Sequence, residues 1–299
     1  MGNTARVPVS GEVVARSATA PASSANLGPG FDCLAVALEL RIEVSIEPAK
    51  CFTVRAEGEG EAIPATSDHL AARVLREVLG HDEAVVRIRS DIPVGRGLGS
   101  SAALAVATAA AAGASDPLGV ACRIEGHPEN AAAAVHGGLV AATVLDDGTP
   151  LAVGLPLDAD ATFVVLVPEQ SLSTEEARAA LPVHVRHMDA AHNVSRTGVL
   201  IGALSDLSLF RPGVMSDRLH QPYRLALMPE AEALMQALTT AGALGAAWSG
   251  AGPSMVAICR GADAEPVRRA GVQALAAAGV AGDARILRPD MRGLQVAEL

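Results

Sequence analysis

The stretch that most constrains the fold is residues 93–102, PVGRGLGSSA, in which three alternating glycines and two serines stand between a strand-like run and an alanine-rich one. Upstream, residues 84–89 (AVVRIR) alternate apolar and polar as a half-buried strand does, and Asp91 and Pro93 end the run. Downstream, residues 102–112 are almost all alanine with a few larger apolar residues, and alanine has the best intrinsic helix propensity. The glycines therefore sit in a strand-to-helix turn. Gly95, Gly97 and Gly99 can take positive φ and admit a ligand to the backbone, while Ser100 and Ser101 bring hydroxyls to the unsatisfied N–H groups of a helix start. Such an end attracts phosphate. An ordinary glycine turn capped by serine is the competing reading. Two serines and an alanine helix directly behind three glycines favour the phosphate loop.

The common phosphate-binding patterns do not fit. A Walker A motif needs Gly-Lys-Ser/Thr, and the one lysine, Lys50, lies well upstream. A dinucleotide fingerprint needs GxGxxG directly after the first strand, whereas the spacing here is GxGxG followed by serine, deep in the chain. No HRD or DFG sequence supports a protein-kinase fold.

A polyanionic ligand raises a question of charge, because the chain carries a formal net charge of -10. That balance argues against non-specific nucleic-acid binding, which relies on basic surfaces. Binding a nucleotide then requires local positive potential, which backbone N–H groups, Arg96 and a magnesium ion would supply. With 299 residues, half of them hydrophobic, there is room for two domains, and aromatics at 2% leave Ala, Val and Leu to build the cores. Trp248 and Tyr223 are each the only residue of their type; Trp248 reads as packing. The cysteines at 33, 51, 122 and 259 have neither CxxC spacing nor a histidine pattern nearby, so reduced thiols and a cytoplasmic location are expected. Residues 1–17 lack an apolar core between their arginines, so no signal peptide is expected. The most apolar segment, residues 102–114, is too short for a membrane span.

Along the chain, residues 12–17 read as a strand, 21–30 as a loop rich in Ser, Asn, Gly and Pro, and 33–46 as a long apolar strand. Asn26 and Asp32 are either turn formers or groups able to hold a small polar substrate. Residues 68–79 predict an amphipathic helix behind an acidic cap, and 116–124 a second helix. Glu125 follows as a surface charge or a hard oxygen ligand for Mg²⁺. A strand over 137–145, a turn at 146–148 and a continuous buried strand over 161–168 place a domain boundary near 157, giving domains 1–157 and 158–299. Ser173 and Glu176 make a capping box, and the helix behind it carries Thr174 and Arg178 on one face. Arg178 and Arg224 read singly as solvated groups; meeting in one pocket, their forks would suit a carboxylate. Residues 231–241 predict a helix, 242–252 a glycine-rich turn, 255–259 a buried strand, then a helix from 264 and a short strand near 285–287.

PVGRGLGSSAA resembles the second motif of the galactokinase, homoserine kinase, mevalonate kinase and phosphomevalonate kinase superfamily. PASSANLGPGFDCL, from Pro21, resembles its first motif, and SGAGPS, from Ser249, its third. EGHPEN at 125–130, STEEAR at 173–178, HNVSR from His192 and DRLHQPYR at 217–224 are similar to stretches of homoserine kinases in particular. The resemblance spans nearly the whole chain. It implies an α+β, two-domain small-molecule kinase fold, with a ribosomal-protein-like N-terminal domain, a ferredoxin-like C-terminal domain and the active site in the cleft between them. It further implies ATP-dependent phosphorylation of the hydroxyl of L-homoserine, in threonine biosynthesis. The alternatives are a superfamily kinase for another small hydroxy acid or amino alcohol, and a non-catalytic nucleotide-binding homologue.

The resemblance also assigns roles. Pro93, Gly95, Arg96, Gly97, Leu98, Gly99, Ser100 and Ser101 would hold ATP, with His69 near the adenine where relatives often have asparagine. Glu125 and a hydroxyl of Ser101 or Ser100 would hold Mg²⁺. Asn26 and Asp32 would hold the amino acid, Arg178 and Arg224 its α-carboxylate, Asn130 the hydroxyl end, and Thr174 would lie near the transferred phosphoryl group. Glu129 departs from the aspartate typical of homoserine kinases, and the stretch before Glu125 is shorter than theirs. No general base is assigned. The partners expected are L-homoserine and ATP, with no nucleic acid or membrane, and a homodimer is admitted.

Overall fold

The structure, a computed structural model, describes residue 13 and residues 15–298. Its first sheet has seven strands: β1 (Arg16–Ala25), β2 (Leu34–Pro48), β3 (Thr53–Gly58), β4 (Ala84–Ser90), β5 (Leu139–Val144), β6 (Pro150–Leu155) and a last strand (Gln295–Glu298). The order runs last strand, β1, β2, β4, β3, with β5 on the far end of β2 and β6 on β5. All pairs are antiparallel except β3 with β4, which are joined by helix α1 (Leu70–Leu79). Residues 12 and 14 of the strand expected over 12–17 lie outside the described residues.

The loop expected over 21–30 is corrected: it begins only after Ala25. Pro and Ser ordinarily punctuate, but residues 22–25 pair with β2 and are fully buried; the register shifts between Pro21 and Ala22, an irregularity that tolerates proline's missing N–H. The cap of α1 is also corrected: His69 Nδ1, not Asp68, accepts the Ala71 N–H at 3.2 Å.

Four helices back this sheet: α1, α2 (Ser100–Ala111), α3 (Pro117–Glu125) and α4 (Glu129–His136). Nine of the twelve α2 residues are buried, and the three that are not, Ser100, Ser101 and Leu104, lie together at its start and face the cleft. Small side chains let it touch β1, β2, α1, α3 and α4 at once, which is what the alanine run is for.

The second sheet is formed by β7 (Ala161–Pro168), β8 (Gly245–Trp248), β9 (Met255–Arg260) and β10 (Gly282–Leu287), all antiparallel in the order β10-β7-β9-β8. This is the ferredoxin-like arrangement. Strand β7 has no polar alternation because both faces are covered: Phe163 and Val165 join a core with Leu200 and Leu204, and Val164 and Leu166 join one with Leu234, Leu238 and Trp248. The remaining helices are α5 (Thr174–Ala179), α6 (His187–Ser205), α7 (Gln221–Arg224), α8 (Ala231–Thr240) and α9 (Ala264–Ala277); the last strand, β11 (Gln295–Glu298), returns to β1. The glycine-rich turn expected over 242–252 is corrected in part, since it contains β8. Among the described residues no helix is long and apolar enough to cross a membrane.

Candidate active site

The phosphate loop joins β4 to α2, and its three glycines all have positive φ, from 67° to 73°. A Cβ on Gly97 would collide with the Ser249 carbonyl, and one on Gly99 with Ser23 Oγ, so close protein packing as well as ligand access demands glycine there. The third glycine stretch braces the loop. Ser249 Oγ donates to Gly97 O at 2.7 Å, and the Ser254 N–H donates to Arg96 O. Arg96 turns its guanidinium to the carbonyls of Val94 and Glu169, tying the loop to the end of β7. Within α2 the first N–H bonded to a helical carbonyl is that of Ala103, on Gly99 O, which leaves the amides before it for an anion.

These residues line a cleft of about 280 Å³ that also takes in His69, Leu104, Glu125, Asn130, Thr174 and Gly250. All the sequence-predicted nucleotide residues border it. Ser101 Oγ donates to Glu125 Oε1 at 2.8 Å, bringing a hydroxyl and a carboxylate from two helices together at the mouth of the loop. Both are hard oxygen donors, and one carboxylate plus a hydroxyl is a fitting protein share for Mg²⁺, which takes its other ligands from phosphate and water. Among the described residues no three His, Cys, Asp or Glu side chains cluster as a metal site. Asn130 is buried at the floor, its Oδ1 accepting from Ser23 Oγ at 2.9 Å. Thr174 is the first residue of α5, whose capping box of Ser173 and Glu176 is present as expected from the sequence. His69 is buried, which lowers its pKa and favours the neutral ring.

Asn26, Asp32, Arg178 and Arg224 do not line that cleft but form a charged cluster beside it, joined through Gly250. Asn26 Nδ2 and Arg224 Nη1 both donate to Gly250 O, at 3.0 and 2.9 Å. Asn26 and Asp32 are the two non-glycine residues with positive φ among the described residues, and the Asp32 N–H donates to Asn26 Oδ1 at 2.8 Å. Left-handed backbone in non-glycine residues costs about 1–3 kcal/mol each and gathers at functional sites. Arg178 grips Asp32 with both arms of its fork, at 2.8 and 3.1 Å. Arg224 is 1% exposed, and its pKa is lowered to about 10 by burial and by nearby Arg178. Phe31 lies under both guanidiniums, at 5.5 Å from Arg224 and 6.0 Å from Arg178.

Sequence reasoning gave no role to Phe31, Asp217 or His220, although Phe31 stands in the PASSANLGPGFDCL stretch and the other two in DRLHQPYR. Glu129 was noted only as a departure. It is 1% exposed, its Oε2 has no hydrogen-bond partner among the described residues, and burial raises its pKa. His127 Nδ1 lies 3.4 Å from its other oxygen.

A glycine loop at a helix N-terminus, braced by a second glycine loop and opening onto a polar cluster, suits a phosphate-bearing ligand held beside a small polar one. Residues 66–138 match the family described as GHMP kinases N terminal domain, and residues 200–277 that described as GHMP kinases C terminal. A homoserine kinase of Moorella thermoacetica is 40% identical over 81% of this chain and 86% of its own length, and one of Desulfitobacterium hafniense 38% identical over 92% and 98%. The crystal structure of homoserine kinase from Cytophaga hutchinsonii, 26% identical, superposes with a TM-score of 0.81 over 98% of this chain and all of that one. The chain belongs to the homoserine kinase family of the GHMP kinases.

Proposed function

We propose that this protein transfers the γ-phosphoryl group of ATP to the side-chain hydroxyl of L-homoserine, forming O-phospho-L-homoserine for threonine biosynthesis. The observation that carries the choice of substrate is the Asp32–Arg178 pair. An α-amino acid brings both a cation and an anion, so it can enter that pair by exchange, ammonium to Asp32 and carboxylate to Arg178. No charge is then left unmatched. A hydroxy acid without an amino group would strip Asp32 of its partner and pay for it in affinity. Arg224 is the second carboxylate ligand, and Asn26 holds Asp32 in position through the 2.8 Å bond to its N–H.

Phosphoryl transfer passes through a loose transition state, so catalysis is mostly positioning and charge neutralisation. The amides of the phosphate loop and the start of α2 hold the phosphates. Ser101 and Glu125 would hold Mg²⁺, which when bound neutralises charge on the β- and γ-phosphates. Asn130 and Thr174 line the same cleft as the phosphate loop and would orient the hydroxyl and the transferred group. The hydroxyl needs no dedicated base in this scheme, since its proton can pass to the phosphoryl group. The domains divide near residue 157, with β11 as a carboxyl-terminal return to the first. The protein acts in the cytoplasm on small molecules, as a monomer or homodimer. ADP release with L-homoserine, L-threonine, L-serine and mevalonate tests this reading: homoserine should be preferred by at least about tenfold in kcat/KM, a difference of 1.4 kcal/mol. Preference for mevalonate would overturn it.

A further inference from the structure

Arg224 is an unusual ligand to leave to chance. It is almost wholly buried, and its Nε has no hydrogen-bond partner among the described residues. A guanidinium held so sparsely can turn unless something fixes it. One fixed contact is the Gly250 carbonyl; the other is His220 Nδ1, 3.1 Å from Arg224 Nη1 and one helical turn earlier.

That second contact determines the state of the imidazole. Arginine has only donors, so Nδ1 must be the acceptor; the other nitrogen, Nε2, lies 2.8 Å from the carbonyl oxygen of Gly28 and must donate. Both bonds exist together only in the neutral ring with its proton on Nε2. The surroundings agree with this. His220 is fully buried and its ring stacks on Phe31 at 5.0 Å, while the Asp217 carboxylate, 3.7 Å from Nε2, is occupied by the N–H groups of Leu219, His220 and Gln221 and by Asn193 Nδ2. The charged groups facing the ring are Asp217, Arg224 and Asp32; burial outweighs the attraction of the two carboxylates and pushes its pKa down to about 4.

We propose that His220 is a positioning residue for substrate recognition: its unprotonated Nδ1 fixes the guanidinium of Arg224 so that the fork faces the carboxylate of the amino acid. The proposal rests on the reading of Arg224 as a carboxylate ligand. It treats His220 Nδ1 as the working atom and the Nε2 bond to Gly28 as the anchor that selects the tautomer.

Two amide substitutions separate those atoms. His220→Asn offers an acceptor near the position of Nδ1 and loses the donor to Gly28, whereas His220→Gln offers a donor near Nε2 and loses the acceptor. His220→Gln should raise the KM for homoserine about tenfold or more, in line with losing a hydrogen bond to a charged group, while the KM for ATP stays within about twofold. His220→Asn should keep the homoserine KM within about threefold of wild type. With homoserinol, which has a hydroxymethyl group in place of the carboxylate, neither substitution should matter. If Gln proves the milder change, or if homoserinol turnover falls as far as homoserine turnover, the ring is only a structural anchor and the proposal fails. Should His220→Gln not fold, His220→Asn decides alone: a homoserine KM raised as far as in Arg224→Ala overturns the proposal, and one near wild type supports it. Arg224→Ala separates the two readings. An unchanged homoserine KM in that variant removes the carboxylate role itself, whereas a raised KM there with none in His220→Gln removes only the positioning role.

Discussion

Replacing Asp32 by Asn removes one charge from the pair that Arg178 holds with both arms. The cost to stability should be small, because the two side chains are 37% and 40% exposed and pairs of that kind contribute about 0–1 kcal/mol. The cost to catalysis should be much larger. In the occupied site the ammonium of homoserine loses its charged partner, and truncating one side of an enclosed charge pair costs about 2–5 kcal/mol, or roughly 30- to 4000-fold in kcat/KM. The sign reverses for a substrate that lacks the ammonium. 4-Hydroxybutyrate is homoserine without its amino group; in wild type it must displace Arg178 from Asp32, and in Asp32→Asn it need not. Steady-state ADP release with both compounds, alongside a thermal melt of each protein, measures this directly. The expected result is a Tm within a few degrees of wild type, a large fall for homoserine, and an unchanged or increased rate for 4-hydroxybutyrate. Equal losses for the two compounds would refute the exchange of partners at Asp32.

Three further outcomes are expected. Glu125→Gln should lower kcat by about two orders of magnitude at saturating magnesium, the usual cost of losing a charge-stabilising element, with a smaller effect on nucleotide affinity by calorimetry; near-normal turnover would remove Glu125 from the metal site. Gly97→Ala forces a side chain into left-handed backbone and against the Ser249 carbonyl, and the backbone term alone, about 1–2 kcal/mol, should lower Tm by roughly 2–6 °C; an unchanged melt would contradict the bracing of one glycine loop by the other. For His220, the folded pKa of about 4 lies below the ordinary 6.5, so between those values the unfolded chain binds the proton and the folded one does not. Its contribution is therefore complete above about pH 6.5 and lost as pH falls towards 4. Urea titrations should be flatter across that window in His220→Asn than in wild type.

Much of the site could be read from local sequence because its parts are local. The loop of residues 93–102, the capping box of Ser173 and Glu176, and the helix after Asp116 are each specified within a few residues. What could not be read was tertiary. Residues 22–25 look like a turn and are a strand because β2 pairs with them. Strand β8 hides in GAAW, four residues inside a glycine-rich run, and is a strand because β9 lies alongside. Asp32 and Arg178 were both assigned to substrate, but that they would grip each other across 146 residues has no local signature. Burial of Glu129 and the contact of His220 with Arg224 are likewise products of packing, although His220 and Arg224 stand at the i, i+4 spacing that places side chains on one helix face.

The most direct measurement is phosphorus NMR of the products formed from ATP and L-homoserine in the presence of magnesium. The account predicts ADP and one new phosphomonoester, O-phospho-L-homoserine, in equal amounts, with no such product when L-homoserine is replaced by mevalonate at the same concentration. ATP hydrolysed to free phosphate without a phosphomonoester, or a phosphorylated product from mevalonate in preference to homoserine, would contradict it.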